Sequence, residues 1–557
     1  MKTKCLLVVS LALMVTGRPA ADEGMWTFDH PPIAAIQKRY GFSLSKEWLD
    51  HLRLASVRFN DGGSGSFVSA DGLVLTNHHV ALGQLQKLST PQKNYASDGF
   101  SARSRGDEIK AADLELNVLL SSEEVTSRIL AAVGRAATPE AALEARKAEI
   151  SRVEKESLDR TGLRSDVVTL YQGAQYWLYR YKKYTDVRLV FAPEQQMAFF
   201  GGDPDNFTYP RYDLDFALFR VYENGTPVRP AHFLKWNAKG ATDNELVFVS
   251  GHPGSTDRDD TLVELETERD LVYPSNIGVV KRRLDALRRY SALGAEQTRQ
   301  AAGLIFSLEN AFKAFTGEYN GLLDQKIMAK KGADERALRD AIAKNPDWQT
   351  MYASAWDDVS RAETARRRLY KPQRFGQLRG GVLPNLALLI VQYVAEVKKP
   401  DERRLNGFHD AQLPSLQLRL FSPAPVYPGL EEVLLGDALQ HSLDELGPDD
   451  RFVKTALAGR SPSAAAAALI AGSRLADPAV RKQLVEGGEP AVAQSTDTLI
   501  ALARAVDPIV REMNATIDRE VVGVESAARE RIGRARFAVY GSSAYPDATF
   551  TLRLSYG

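Results

Sequence analysis

Residues 63–80 read "GSGSFVSADGLVLTNHHV". Two strand-prone runs, "SFVS" and "LVLT", flank Ala70-Asp71-Gly72. Runs of this kind around a short glycine-containing turn predict a β-hairpin. Two adjacent histidines, His78 and His79, follow the second run. A histidine there can be a general base, one of two metal ligands, or a polar residue at a strand end with no chemistry. Adjacent side chains on a strand point to opposite faces, which disfavours a shared metal. No H-E-x-x-H follows, and His30, His51, His232, His252, His409 and His441 stand isolated.

The flanking pattern favours the base. "LVLTNHHV" is an apolar strand, a threonine, two residues, a histidine and a small apolar residue, the element that presents the base in a chymotrypsin-like barrel. In that alignment His79 is the base and His78 its neighbour. The chain order of that fold is His, Asp, Ser. "RYDLDFALFRVY" offers Asp213 and Asp215, and Asp215 opens the apolar strand "DFALF", as an orienting carboxylate would. "FFGGDPDNFTYPRYDLD" (199–215) predicts a loop into that strand, either a plain turn or a substrate-binding loop. "DPDN" resembles a calcium loop only loosely. "VFVSGHPGST" (247–256) predicts a strand ending in a turn, with His252 a turn residue. No Gly-x-Ser-Gly segment occurs in 216–557. Ser250, Ser542 and Ser543 lack the glycine frame that presents a nucleophile and its oxyanion N–H groups. "GSGS" at 63–66 has the glycines but precedes the histidine and fits the hairpin.

Composition bounds the rest. The chain has 557 residues, 44% hydrophobic and 25% charged, enough for a large core. Length alone suggests roughly three domains of about 150 residues. Lys+Arg and Asp+Glu are both 71, a balance that gives no support to nucleic-acid binding. The opening "MKTKCLLVVSLALMVTGRPAAD" has two lysines, an apolar run and small residues. It predicts a secretory signal peptide over 1–21 and no membrane attachment after cleavage, since the run is short for a spanning helix. The only cysteine, Cys5, lies inside it, so the mature chain is expected to have no disulfide and no thiolate chemistry.

A peptidase-like β domain is expected over 22–274, with a helical insert at about 121–183. A helical block is expected over 275–535, and strand sequence returns over 536–557. Within the block Ile305, Leu308, Phe312, Phe315, Tyr319 and Leu322 recur at alternating steps of three and four, one helical face.

These motifs resemble serine peptidase family 46, the secreted bacterial group that holds dipeptidyl-peptidases 7 and 11. The resemblance runs through "EGMW", "GSGSFVSADGLVLTNHHV", "FGGDPDNFTYPRYDLDFALFRVY", "VSGHPGST", "NAFKAFTGEYNGL" and "YPDATFTLRLSYG", across essentially the whole chain. It implies an α+β fold, a chymotrypsin-like double β-barrel with a large inserted α-helical cap domain. His79 resembles the base and Asp215 its carboxylate. Asn206 matches a residue that holds the substrate α-amino group, and Asn310 resembles a second. Phe207 stands where the family often has Trp, and its ring face can favour an ammonium. Val80 replaces a Cys common after the base.

The family's Gly-Asn-Ser-Gly segment lies downstream of the "TFTLRLSYG" element, and this sequence stops at Gly557. The expectation is therefore a C-terminally truncated chain, with an incomplete second barrel and no nucleophile. It would be a serine dipeptidyl-peptidase by family, inactive as given, secreted to the periplasm, acting on peptides with a free N-terminus. No metal or cofactor is implied, and family members are often homodimers. P1 preference, hydrophobic or acidic, is set by no motif present. The alternative is a non-catalytic periplasmic peptide-binding or scaffold protein.

Overall fold

The structure is a computed structural model that describes residues 22–541 and 544–557. The signal-like segment with Cys5, and Ser542 and Ser543, lie outside the described residues.

Strands Gly63–Phe67 and Leu73–Thr76 pair antiparallel, with Phe67 opposite Val74 and Gly65 opposite Thr76. Gly72 closes the turn at φ 78°, a left-handed backbone that suits glycine. The hairpin lies inside an 11-stranded sheet. Its main path runs Phe100–Ser101, Asp186–Ala192, Ala217–Glu223, Leu73–Thr76, Gly63–Phe67, Ser56–Phe59, Leu116–Glu124, Gln175–Tyr184, Arg164–Leu170. Every pairing is antiparallel. The sheet curls without closing. Lys182 on Gln175–Tyr184 reaches Glu223 on Ala217–Glu223 at 2.6 Å, although these strands lie far apart in the order. Val57, Phe59, Phe67, Val74, Phe219 and Val221 fill the shared core.

A second sheet has three strands, Trp26–Thr27, Arg553–Tyr556 and Phe248–Gly251, also open. Where a double barrel was expected, the described strands form two antiparallel sheets, neither of them closed.

The expected insert is helical only in part. Thr126–Val133 and Pro139–Thr161 are helices, and the second ends on Gly162 in the left-handed conformation. Arg164–Leu170 and Gln175–Tyr184 are strands. "DVVTL" and "YWLYRY" are β-branched and aromatic, which suits a half-buried pleated surface better than a helix. Gly162 stops the helix, and the helical pattern does not continue past it.

From Leu262 to Tyr540 the chain is almost entirely helical. A large core of Leu383, Ile390, Leu420, Leu435, Leu499 and Val506 holds the later helices together. The last helix, Gly523–Tyr540, runs past the expected boundary, and among the described residues of the tail Arg553–Tyr556 is the strand. The apolar face predicted around Ile305 lies on helix Ala295–Leu323, but only Arg299 and Ala301 of that helix are buried. Its aromatics are partly covered, Phe306 by Phe199 at 4.7 Å and Phe315 by Tyr273 at 6.2 Å between centroids.

Phe219 is fully buried and packs edge-on against Phe59 at 5.9 Å. Phe219→Leu is expected to cost about 1.5 kcal/mol of stability by urea unfolding, with the far-UV spectrum unchanged.

Candidate active site

Strand Leu73–Thr76 ends at Thr76, and Asn77 is the N-cap of helix His78–Leu88. The two histidines therefore open a helix and do not continue the strand. His78 turns inward, 3% exposed, with Nε2 unpartnered; burial holds its pKa below the usual value. His79 turns outward, its side chain 51% exposed. Gly63 permits the close approach behind this turn. Its φ is 147°, and a Cβ there would sit 2.6 Å from both Val80 methyls.

Strand Ala217–Glu223 pairs with Leu73–Thr76, Ala217 opposite Thr76. The same antiparallel register carried two residues further sets Asp215 beside the histidines. Its Oδ2 lies 2.7 Å from His79 Nδ1, and its Oδ1 accepts the His79 backbone N–H at 3.0 Å. The Asn77 side-chain amide donates to Oδ2 and to the Asp215 carbonyl, both at 3.1 Å. The first N–H groups of a helix lack intrahelical partners and carry partial positive charge. Asn77 makes no side-chain cap of its own, and Asp215 takes that part from another strand. Burial pushes the Asp215 pKa up, but the His79 ring and backbone N–H groups outweigh it and hold the carboxyl below its ordinary value. Asp213, the other candidate, is engaged elsewhere, 2.8 Å from Arg211.

The loop before Asp215 is fastened from both sides. Arg211 donates to the Phe200 and Gly202 carbonyls and stacks over Phe199. Lys313, on helix Ala295–Leu323, donates to the Asp203 and Pro204 carbonyls at 2.6 and 3.0 Å. The same helix brings Asn310 to Asn206, whose Nδ2 donates to Asn310 Oδ1 at 3.1 Å. Phe207 follows with φ 61° and is 67% exposed. The structure thus brings His79 to Asp215 and Asn206 to Asn310.

A cavity of about 550 Å³ opens between the two sheets beside Asp215 and Asn77. Ser64, Ser66, Ser250 and His252 line it. The serines nearest the turn are engaged: Ser64 Oγ accepts the His252 N–H, and Ser250 Oγ shares a hydrogen bond with Ser56. His252 is buried, and burial beside Arg58 brings its pKa down to about 3, so it stays neutral. Among the described residues no serine hydroxyl is hydrogen-bonded to His79. Glu264, Glu363 and Glu525 are the described carboxylates grouped closely enough for one cation. Arg529 pairs with Glu264 and Glu525, and Arg366 with Glu363 and Glu525.

Asn77 and Lys313 were not singled out from the sequence. An Asn before a helix signals a cap, which hides a side chain serving another strand. A lysine on a helix gives no sign of which carbonyls it meets.

The sequence profile of the family described as Peptidase S46 matches residues 21–557. The chain belongs to the Peptidase S46 family. It is 29% identical over 372 residues to Dipeptidyl-peptidase 7 of Capnocytophaga gingivalis, covering 64% of this chain and 52% of that protein. It is 27% identical to the Asp/Glu-specific dipeptidyl-peptidase of Shewanella putrefaciens, covering 99% and 78%. The S46 chain thus spans about half the length of the first of these relatives. Its fold is like that of Porphyromonas endodontalis DPP11 crystallised with the dipeptide Arg-Glu, at TM-score 0.75 and 23% identity, over 96% of this chain and 80% of that one. No described helix of the S46 chain is long and apolar enough to cross a membrane.

Proposed function

We propose that this S46 chain carries the base and the amine anchor of a serine-type dipeptidyl-peptidase, which releases N-terminal dipeptides from peptides by acyl transfer. The observation that carries the reading is the two-point hold of Asp215 on His79. The carboxylate accepts from Nδ1 and from the backbone N–H, which leaves the Nε2 lone pair facing outward as a base. In the proposed cycle Nε2 takes the proton of a serine Oγ as that oxygen attacks the scissile carbonyl. The imidazolium returns the proton to the leaving amine when the C–N bond breaks, and water then hydrolyses the acyl ester. Asn206 and Asn310 present amide oxygens to the substrate ammonium, and the exposed Phe207 ring offers it a cation–π face. An ammonium held at a fixed distance from the cut permits release only of a dipeptide. The curled 11-stranded sheet supports its assignment as the first chymotrypsin-like barrel, the three-stranded sheet as part of the second, and the helical block as the cap. Residence in the periplasm and pairing as a homodimer rest on the family resemblance.

The nucleophile this reading requires is the serine of a Gly-x-Ser-Gly segment, which residues 216–557 do not contain. Among the described residues no serine hydroxyl joins His79, and we propose that the described site binds peptide N-termini without turnover, the behaviour of a non-catalytic peptide-binding protein. Calorimetry with a free dipeptide and its N-acetylated form tests the anchor. The free amine is expected to bind and the acetylated form not, and Asn310→Ala should weaken binding about tenfold. Equal binding of both forms would remove the anchor assignment. A serine-directed fluorophosphonate tests the triad: labelling that survives His79→Ala would sink it, and dipeptide release by the 557-residue form would sink the inactive reading.

A further inference from the structure

A second site is built around Arg481. This residue lies on helix Pro478–Glu486 and is 2% exposed. Its Nη2 donates to the Ser422 carbonyl at 2.7 Å, its Nε has no partner, and it forms no ion pair among the described residues. Other buried arginines here are served differently. Arg58 meets Asp166 at 3.1 Å, Arg146 meets Glu530 at 2.7 Å and Arg299 meets Glu296 at 2.6 Å. Arg553 lacks an ion pair but donates to three carbonyls and two threonine hydroxyls. Arg481 is a largely desolvated cation with one hydrogen-bond acceptor among the described residues and a buried Nε that has none. Taking such a charge from water is expensive unless an anion and further hydrogen bonds offset it.

The space beside it is a cavity of about 320 Å³, at the small end of ligand pockets. It lies where the far end of the His79 helix meets the helical block. Leu386, Leu389 and Val426 give it an apolar wall. Arg419 adds a second cation with no ion pair among the described residues. Asp61 and Asp113 face the same space, but Lys87 stands 2.7 Å from Asp113 and 3.9 Å from Asp61. Gln84 donates to both, and the Ser422 hydroxyl donates to Asp113 across the seam. Three cations face two carboxylates, one positive charge in excess. A monoanion completes that balance, whereas a dianion meets the two aspartates.

We propose that this cavity binds a monocarboxylate with a short apolar tail, its carboxylate on Arg481 and Arg419 and its tail against Leu386, Leu389 and Val426. A guanidinium is shaped to take a carboxylate through parallel N–H donors. The ligand touches both the base-bearing helix and the helical block. The site is separate from the proposed peptidase site, and its occupancy does not depend on turnover.

Calorimetry on the 557-residue chain tests this with two probes, hexanoate for a free aliphatic acid and N-acetyl-leucine for a peptide-type carboxylate. Their methyl esters and inorganic phosphate serve as comparisons. One or both acids are expected to saturate at one per chain, and the esters and phosphate are not. Saturation by one acid alone assigns the source. Arg481→Met should weaken the binding acid by about tenfold or more. Should that variant unfold, Leu389→Trp, at a partly buried position on the cavity wall, fills the cavity instead and should abolish binding with the fold intact. No saturation by either acid below about 10 mM, equal binding of the esters, or preferred binding of phosphate would each overturn the proposal.

Discussion

Asp215→Asn is expected to move the His79 ring proton from Nδ1 to Nε2. In the native site both Asp215 oxygens accept, Oδ1 from the His79 backbone N–H and Oδ2 from Nδ1. Asparagine has one oxygen and one NH₂ group. The backbone N–H can only donate, so the oxygen must turn toward it. The NH₂ then faces Nδ1, which must become an acceptor, and the proton goes to Nε2. The Asn77 amide keeps its donation to the residue-215 carbonyl and loses the acceptor it had at Oδ2. The tautomer is read directly from ring nitrogen shifts and long-range couplings in ¹⁵N-labelled protein. In any form of the chain that turns over peptide, kcat should fall about 10⁴-fold, because the base position now carries a proton. An unchanged tautomer would show that Asp215 does not set the ring.

The same carboxylate links stability to acid. Its folded pKa lies below the unfolded value. Its contribution is therefore complete above the unfolded value of about 3.9 and is lost as pH falls through the lower folded one. Asp215→Ala should remove about 1 kcal/mol at pH 7, since water can serve the half-exposed His79 donors, and less at pH 3.

Arg529→Met is expected to destabilise the protein strongly, and more at pH 8 than at pH 5. Arg529 lies 2.6 Å from Glu264, 2.9 Å from Glu525 and 3.3 Å from Asp260. Glu264 and Glu525 are buried. Burial raises the pKa of Asp260 and Glu525 even with Arg529 in place, and pushes nearby Glu268 up to about 7. A carboxyl whose folded pKa is raised is most favourable below its unfolded value near 4, and that advantage is lost as pH rises through the folded value. Without the arginine the folded values rise further and the loss steepens. Breaking a buried ionic cluster at one member costs about 3–5 kcal/mol. That loss is expected in urea midpoints at pH 8, with a clearly smaller one at pH 5, where the carboxyls can hold their protons. Equal losses at both pH values would mean that the cluster is not held by charge.

The hairpin was legible because its signals are local. "SFVS", "LVLT" and the intervening glycine determine strand, turn and strand within a few residues, and the structure pairs them so. Asp215 was legible through the strand it precedes, since "DFALF" shows where that strand begins. The strands of 164–184 are not legible because they follow a long helix, and nothing local except Gly162 announces the change. The face around Ile305 has the right period, yet its helix borders a cleft and is only partly covered. Periodicity records which side is apolar and not what lies against it.

The local sequence alone determined the hairpin, the helical character of most of 275–535, and the candidates His79 and Asp215, while Asn206, Phe207 and Asn310 came from the family resemblance. Tertiary structure decided everything that depends on which distant segments meet. It turned His79 outward and His78 inward by starting a helix at Asn77. It gave Asp213 to Arg211 and Asp215 to His79. It joined Asn206 to Asn310 across 104 positions and left Arg481 buried without a counter-ion among the described residues. The physical reason is that hydrogen bonds and ion pairs depend on position in space, while strand and turn propensities act on neighbours along the chain.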